Sequence, residues 1–165
     1  MNTVQILCTL RNVKKFLGVF SIRSPTTYHN TTCYNKCYLR PHTEDSSHWL
    51  AINFHPISCS GFYFDSHGLR PYIPSIRSLL KRTFPVWNFN AVQLQGLTSN
   101  VCGHYYCLFA LYLDRGYSPK HLISLFNPRT ADIQVPQMFA SEFGSVRETR
   151  GPSGGGQCCA FYKKR

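Results

Sequence analysis

Acidic side chains are scarce in this sequence: Asp+Glu number 7 against 18 Lys+Arg, a formal net charge of +11. Such a balance favours polyanionic partners such as nucleic acid, acidic protein or anionic lipid; a basic surface that is merely solvated is the equal rival reading. The cations do not gather beyond Lys14-Lys15, Lys81-Arg82 and Lys163-Lys164-Arg165, so no DNA-reading motif is visible. Long apolar runs are missing too. None approaches the roughly eighteen residues of a membrane span, which argues against a membrane partner. The N-terminus mixes Gln, Arg and Lys into its apolar residues, unlike a secretory signal, so a protein that is not secreted is expected. No internal repeat is present.

Cysteine is not scarce, but its pattern is poor in sites. Cys8, Cys33, Cys37, Cys59, Cys102, Cys107, Cys158 and Cys159 are irregularly spaced, as suits free thiols in a reducing compartment. Cys33-x3-Cys37 with His29 or His42 makes half of a zinc site, and no second close pair completes it, so no metal is expected. The Asn30-Thr-Thr sequon carries little meaning without a signal peptide. The 165 residues suffice for one domain with a core, and the apolar content argues against general disorder. We place that domain over residues 1–150. The segment 151–165, Gly-rich and then basic, is expected to be a mobile tail.

Apolar spacing predicts a helix over 4–17, ending at Gly18, then a short extended piece at Val19–Ile22. From Thr26 to Ser47 the chain is polar and predicted as loop, with one weak strand around Cys37-Tyr-Leu39. His48–Phe54 is nearly all apolar after its first residue, as in a strand buried on both faces. Phe62-Tyr-Phe64 is a second strand, stopped by the turn Asp65-Ser-His-Gly68. His48 then opens one strand and Asp65 closes its neighbour, at the same end of an antiparallel hairpin. A helix follows over Ser75–Phe84, with Pro74 in its first turn, and a strand over Val86–Leu94 leading to Gln95. The central helix runs from about Val101 to Asp114, with Tyr105, Leu108, Phe109 and Tyr112 toward the core. Ser118-Pro119 caps another helix through Phe126, and Asp132–Phe143 holds one last helical turn.

Four residues with chemistry stand at the ends of these elements. Cys102 sits at a helix N-terminus, where orphan N–H groups and the helix dipole favour a thiolate, the nucleophilic form. A cysteine hydrolase also needs a base, an orienting acid and an oxyanion donor. His48 fits the base, Asp65 the acid that holds the imidazole tautomer, and Gln95 with the Cys102 backbone N–H the oxyanion donors.

In that order, His48-Trp49, Phe62-Tyr-Phe-Asp-Ser-His-Gly68 and Gln95-Gly-Leu-Thr-Ser-Asn-Val-Cys-Gly103 resemble the adenovirus-type cysteine proteases (adenain). The resemblance is strongest to their relatives in adenovirus-like and polinton-like mobile elements, and more distant to proteases that process ubiquitin-like modifiers. It covers roughly 48–113, with a weaker match at Phe16-Leu-Gly-Val-Phe20. It implies an α+β, papain-related fold, with a central mixed sheet packed on a helix that carries the nucleophile at its N-terminus. It further implies a cysteine endopeptidase that cleaves viral precursor proteins, often beside glycine, during particle maturation in the virion or host nucleus. No cofactor is required for the chemistry; activation by DNA or a viral peptide is carried over by analogy. Adenovirus enzymes have Glu where Asp65 stands, a branch difference that leaves the role intact. No cysteine lies between Cys59 and Cys102, so the disulfide-linked peptide cofactor of the adenovirus enzyme has no attachment point and is not expected. The region after Phe126 matches poorly.

Each assignment has a rival. Cys107 reads as core. His55, His67 and His104 compete with His48, Glu44 and Asp45 with Asp65, and Gln93 with Gln95. Trp49, Ser99 and Asn100 are candidates for substrate contact, with Trp49 also fitting a packing residue that covers the site. Two other functions stay open: an isopeptidase acting on ubiquitin-like modifiers, and an inactive, basic nucleic-acid-binding relic of the fold.

Overall fold

A computed structural model describes residues 1–21, 35–42, 46–55 and 57–144. His29, Asn30, Cys33, Glu44, Asp45 and the 151–165 segment lie outside the described residues, as does the end of the domain at 150. The chain is α+β. Its elements run α1 (Thr3–Leu10), β1 (Phe16–Ser21), β2 (Asn35–His42), β3 (Ser46–His55), β4 (Ser60–Asp65), α2 (Pro74–Thr83), β5 (Val86–Phe89), α3 (Cys102–Asp114), α4 (Pro119–Ser124) and α5 (Ala131–Phe143). The strands form one mixed sheet in sequence order, β1-β2-β3-β4-β5. The two outer pairs are parallel and the two inner pairs antiparallel.

Strand β3 organises both faces. Alternate side chains point to opposite sides of a sheet. Trp49 and Ala51 therefore join Phe64 and the central helix α3 in one cluster, while Leu50 and Ile52 join Tyr63 and the α2 residues Ile76, Leu79 and Leu80 in the other. The near-continuous apolar run in β3 is thus explained by helices on both faces. Phe64 stacks on Phe109 of α3, with ring centroids 4.3 Å apart and planes 13° apart. Truncation of Phe64 to alanine removes the nearer of the two rings that pack on Phe109, the other being Phe62 at 6.1 Å, and opens a cavity in a buried site. The Phe64→Ala protein is expected to lose about 3–5 kcal/mol of stability in urea denaturation. A loss under about 1 kcal/mol would contradict this packing.

Helix α3 is wrapped more completely than its sequence suggests. Tyr105 through Ala110 and Leu113 are all buried, because α1, α4, α5 and the sheet surround it. Tyr112, expected in the core, is only half-buried and donates its hydroxyl to Glu142 of α5 at 3.0 Å.

Several expectations are corrected. The first helix ends at Leu10 rather than 17. The Lys15 backbone N–H, which would have extended the helix, donates instead to the Asp114 carboxylate at 3.0 Å, and Phe16 begins β1. The polar stretch expected as loop holds the eight residues of β2, since pairing with β3 satisfies its backbone whatever its side chains. Pro41 fits there because it lies past Leu39, the last residue of β2 that faces β1. As β2 is longer, so is β3: it starts at Ser46, and His48 is its third residue, not its first. Strand β5 stops at Phe89 rather than Leu94, because the Asn90 side chain turns inward. Finally, α5 is a 13-residue helix, not one turn, despite Pro136 inside it. Ala131, Val135 and Phe139 recur every fourth residue and are buried, and this packing outweighs the backbone bond that Pro136 forgoes.

Candidate active site

Asp65 ends β4 and pairs with Leu50 of β3. Two residues before Leu50 in β3, on the same face, stands His48. The His48 Nε2–H donates to Asp65 Oδ1 at 2.7 Å. The Asp65 side chain is almost wholly buried, so this contact is shielded from water. With Nε2 committed to the carboxylate, Nδ1 is the ring nitrogen left to face Cys102, and a side-chain hydrogen bond joins His48 and Cys102. Cys102 is the first residue of α3, and its sulfur also accepts from the Trp49 backbone N–H.

The electrostatics follow from this geometry. Burial alone would lower the His48 pKa, yet the hydrogen bonds and charges of Asp65 and Cys102 raise it to about 9. Burial pushes the Cys102 thiol up, but the hydrogen bonds from His48 and Trp49 and the His48 charge outweigh it, and the net shift is downward. The two shifts act in the same sense: each favours the charged form, a thiolate beside an imidazolium. Cys107, the rival thiol, has no such partners, and burial pushes it far up. Among the described residues Cys8 is a free thiol as well, and no group of three or more His, Cys, Asp or Glu is placed to hold a metal ion.

Gln95 is buried in the loop that leads to Cys102. Its Oε1 accepts from Ser66 Oγ at 2.6 Å and its Nε2 donates to the Ser99 carbonyl at 2.6 Å. An amide nitrogen has two N–H groups, so this arrangement fixes the side chain and commits one of them. Gln93, the rival, is exposed and donates to the Gln95 carbonyl at 2.9 Å. Ser99 therefore shapes the loop through its backbone, and Asn100 is exposed beside it. Trp49 corrects one expectation. Its indole is 2% exposed, stacks near Tyr106 and donates to the Met1 carbonyl at 3.0 Å, so the ring packs and does not line a substrate surface.

Three supports were not foreseen from the sequence. Asn90 bonds the Asp65 backbone in both directions, accepting its N–H at 2.9 Å and donating to its carbonyl. Asp132, on the first turn of α5, accepts the Gly96 N–H at 2.8 Å and the Tyr105 hydroxyl at 3.2 Å, and so ties the Gln95 loop to two helices. His67 packs its ring against that of His48, with centroids 4.6 Å and planes 31° apart. Usable signals existed for two of them. Asn is disfavoured inside a strand, and in a chain with 7 acids each one merits a search for its partner.

No protein-family model matches the chain. No curated protein matches it either. Among solved structures, the ASFV pS273R protease is similar at 22% identity and TM-score 0.48, over 68% of this chain and 43% of that one. A Se-Met structure of the same protease is similar at 21% identity and TM-score 0.47, over 75% of this chain and 50% of the other. ChlaDub1 from Chlamydia trachomatis is similar at 15% identity and TM-score 0.43, over 92% of this chain and 80% of that one. The chain thus spans about half the length, or less, of the two ASFV protease chains.

Proposed function

We propose that this chain is a cysteine-type endopeptidase in which Cys102 is the nucleophile, His48 the acid–base group and Asp65 its orienting partner. The observation that carries this reading is the single imidazole bridging a buried carboxylate and a thiol at a helix N-terminus. Triads are recognised by such geometry and roles, not by sequence position.

The chemistry follows from the parts. The Cys102 thiolate adds to the substrate carbonyl carbon, and the carbonyl oxygen takes the negative charge. Gln95 Nε2, through its remaining N–H, and the Cys102 backbone N–H stabilise that oxyanion. The His48 imidazolium passes its proton to the leaving amine as the C–N bond breaks, which leaves a thioester on Cys102. Neutral His48 then takes a proton from water as it attacks the thioester, and the thiolate–imidazolium pair is restored. Asp65 keeps the imidazolium stable and correctly turned throughout.

The finer reading rests on the sequence resemblance: a viral or mobile-element enzyme that cleaves precursor proteins beside glycine, in a virion or nucleus, with its +11 charge suited to DNA as an activating polyanion. No helix among the described residues is long and apolar enough to cross a membrane. The test is incubation of the purified protein with glycine-containing peptides, read by mass spectrometry. Cleavage that iodoacetamide abolishes is expected. Cleavage that survives alkylation of Cys102 would contradict the assignment.

A further inference from the structure

We infer that His67 is a positioning residue for this site and that it serves only as a neutral imidazole, so that its protonation sets the acid limb of activity. The inference rests on the catalytic reading above and goes beyond it. His67 touches every part of the site except the thiol. Its ring lies on that of His48, centroids 4.6 Å apart and planes 31° apart. Its backbone N–H donates at 2.9 Å to Asp65 Oδ1, the same oxygen that accepts from His48. Its side chain hydrogen-bonds the Gln95 backbone, which links the ring to the oxyanion loop. Its Nδ1 is buried with no hydrogen-bond partner, so a proton placed there has nothing to satisfy it.

Four groups face the His67 ring: the His48 imidazole, the Asp65 carboxylate, the Gln95 carbonyl and, further off, the Asp132 carboxylate. Burial and the positive His48 act to keep His67 neutral, the other three act against them, and the net shift is downward. The geometry explains why this matters. His48 must hold its proton for Cys102 to remain a thiolate. A second imidazolium stacked on it either drives that proton away or opens the stack and loosens Gln95. Both outcomes lower the rate as pH falls through the His67 pKa, and both are absent above it.

The test is the pH profile of kcat/KM, from about pH 4.5 to 9, for wild type, His67→Gln and His67→Lys. Glutamine can still donate to the Gln95 carbonyl but cannot take up a proton. Its plateau is expected to drop about three- to tenfold through loss of the stack, while its acid limb moves down by about half a pH unit or more. Lysine puts a permanent charge there, and its plateau is expected to drop by more than about tenfold. An acid limb in His67→Gln that matches wild type, or a wild-type plateau in His67→Lys, would overturn the inference. Should a variant fail to fold, NMR titration of His67 in the wild-type protein reads the same group; a pKa that does not match the wild-type acid limb overturns it equally. Iodoacetamide labelling of wild-type Cys102 at neutral pH separates the two levels. An unreactive Cys102 sinks the catalytic reading itself, whereas a reactive Cys102 with an unmoved acid limb sinks only the role of His67.

Discussion

Peptide hydrolysis by the Cys102→Ala protein is expected to fall to background, a loss on the order of a millionfold in kcat. In the proposed mechanism the whole reaction passes through the Cys102 sulfur, and neither His48 nor Asp65 can form the thioester. The fold should hardly notice the change. Only one atom is removed, at the rim of the core and the first position of α3, where alanine is well tolerated. Urea unfolding should therefore shift by less than about 1 kcal/mol. Cys107→Ala is the matched control. It removes a sulfur five residues further along the same helix, fully buried and pushed far up in pKa, and should leave the rate near wild type. Retained hydrolysis in Cys102→Ala, or lost hydrolysis in Cys107→Ala, would each break the assignment.

The second large effect is expected at Gln95. Removal of one oxyanion donor costs about a hundred- to a thousandfold in kcat, with little change in KM, because the contact tightens in the transition state. Gln95→Ala also leaves the buried Ser66 hydroxyl without its acceptor and the part-buried Ser99 carbonyl without its donor. A stability loss of about 1–3 kcal/mol should accompany the rate loss. Ser66→Ala separates the two effects. It releases Gln95 Oε1 but keeps the amide donor held by Ser99, so its loss in kcat should be clearly smaller than that of Gln95→Ala. Equal losses in the two variants would mean that Gln95 acts only by shaping the loop.

The parts of this site that were legible in the sequence are those set by local patterns. The apolar run of β3, the turn after Asp65 and the helix after Cys102 each announce themselves within a few residues. Their order along the chain brings out the four chemical groups. What escaped were features decided by distant partners. Strand β2 is polar and holds a proline, and only pairing with β1 and β3 makes it a strand. Helix α5 contains Pro136, and only its contact with α3 makes it continuous. Asn90, Asp132 and His67 are ordinary loop or turn residues by composition; their roles exist because the fold brings the 90–97 loop against the turn after β4, where the Leu94 and Gln95 N–H groups both donate to the Ser66 carbonyl. The scarcity of acids had a meaning beyond net charge. Each of the four described carboxylates fixes a junction: Asp65 at His48, Asp114 at the start of β1, Asp132 at the Gln95 loop and Glu142 between α5 and Arg115.

The central claim is that Cys102 and His48 form an ion pair at neutral pH. It is tested most directly by the pH dependence of alkylation, with each cysteine followed separately by mass spectrometry. Free N-acetylcysteine in the same buffer is the reference, since an ordinary thiol reaches half-maximal reactivity near a pH of about 8.5. The lowered Cys102 pKa predicts that its reaction with iodoacetamide reaches its plateau at lower pH than that of the reference thiol. As pH rises through about 9, His48 loses the proton that holds the pair together, and a second change in Cys102 reactivity is expected there. In His48→Ala the early plateau should vanish, and Cys102 should titrate at or above the reference. A wild-type Cys102 that follows the same curve as the reference thiol, or one unchanged by loss of His48, would contradict the account.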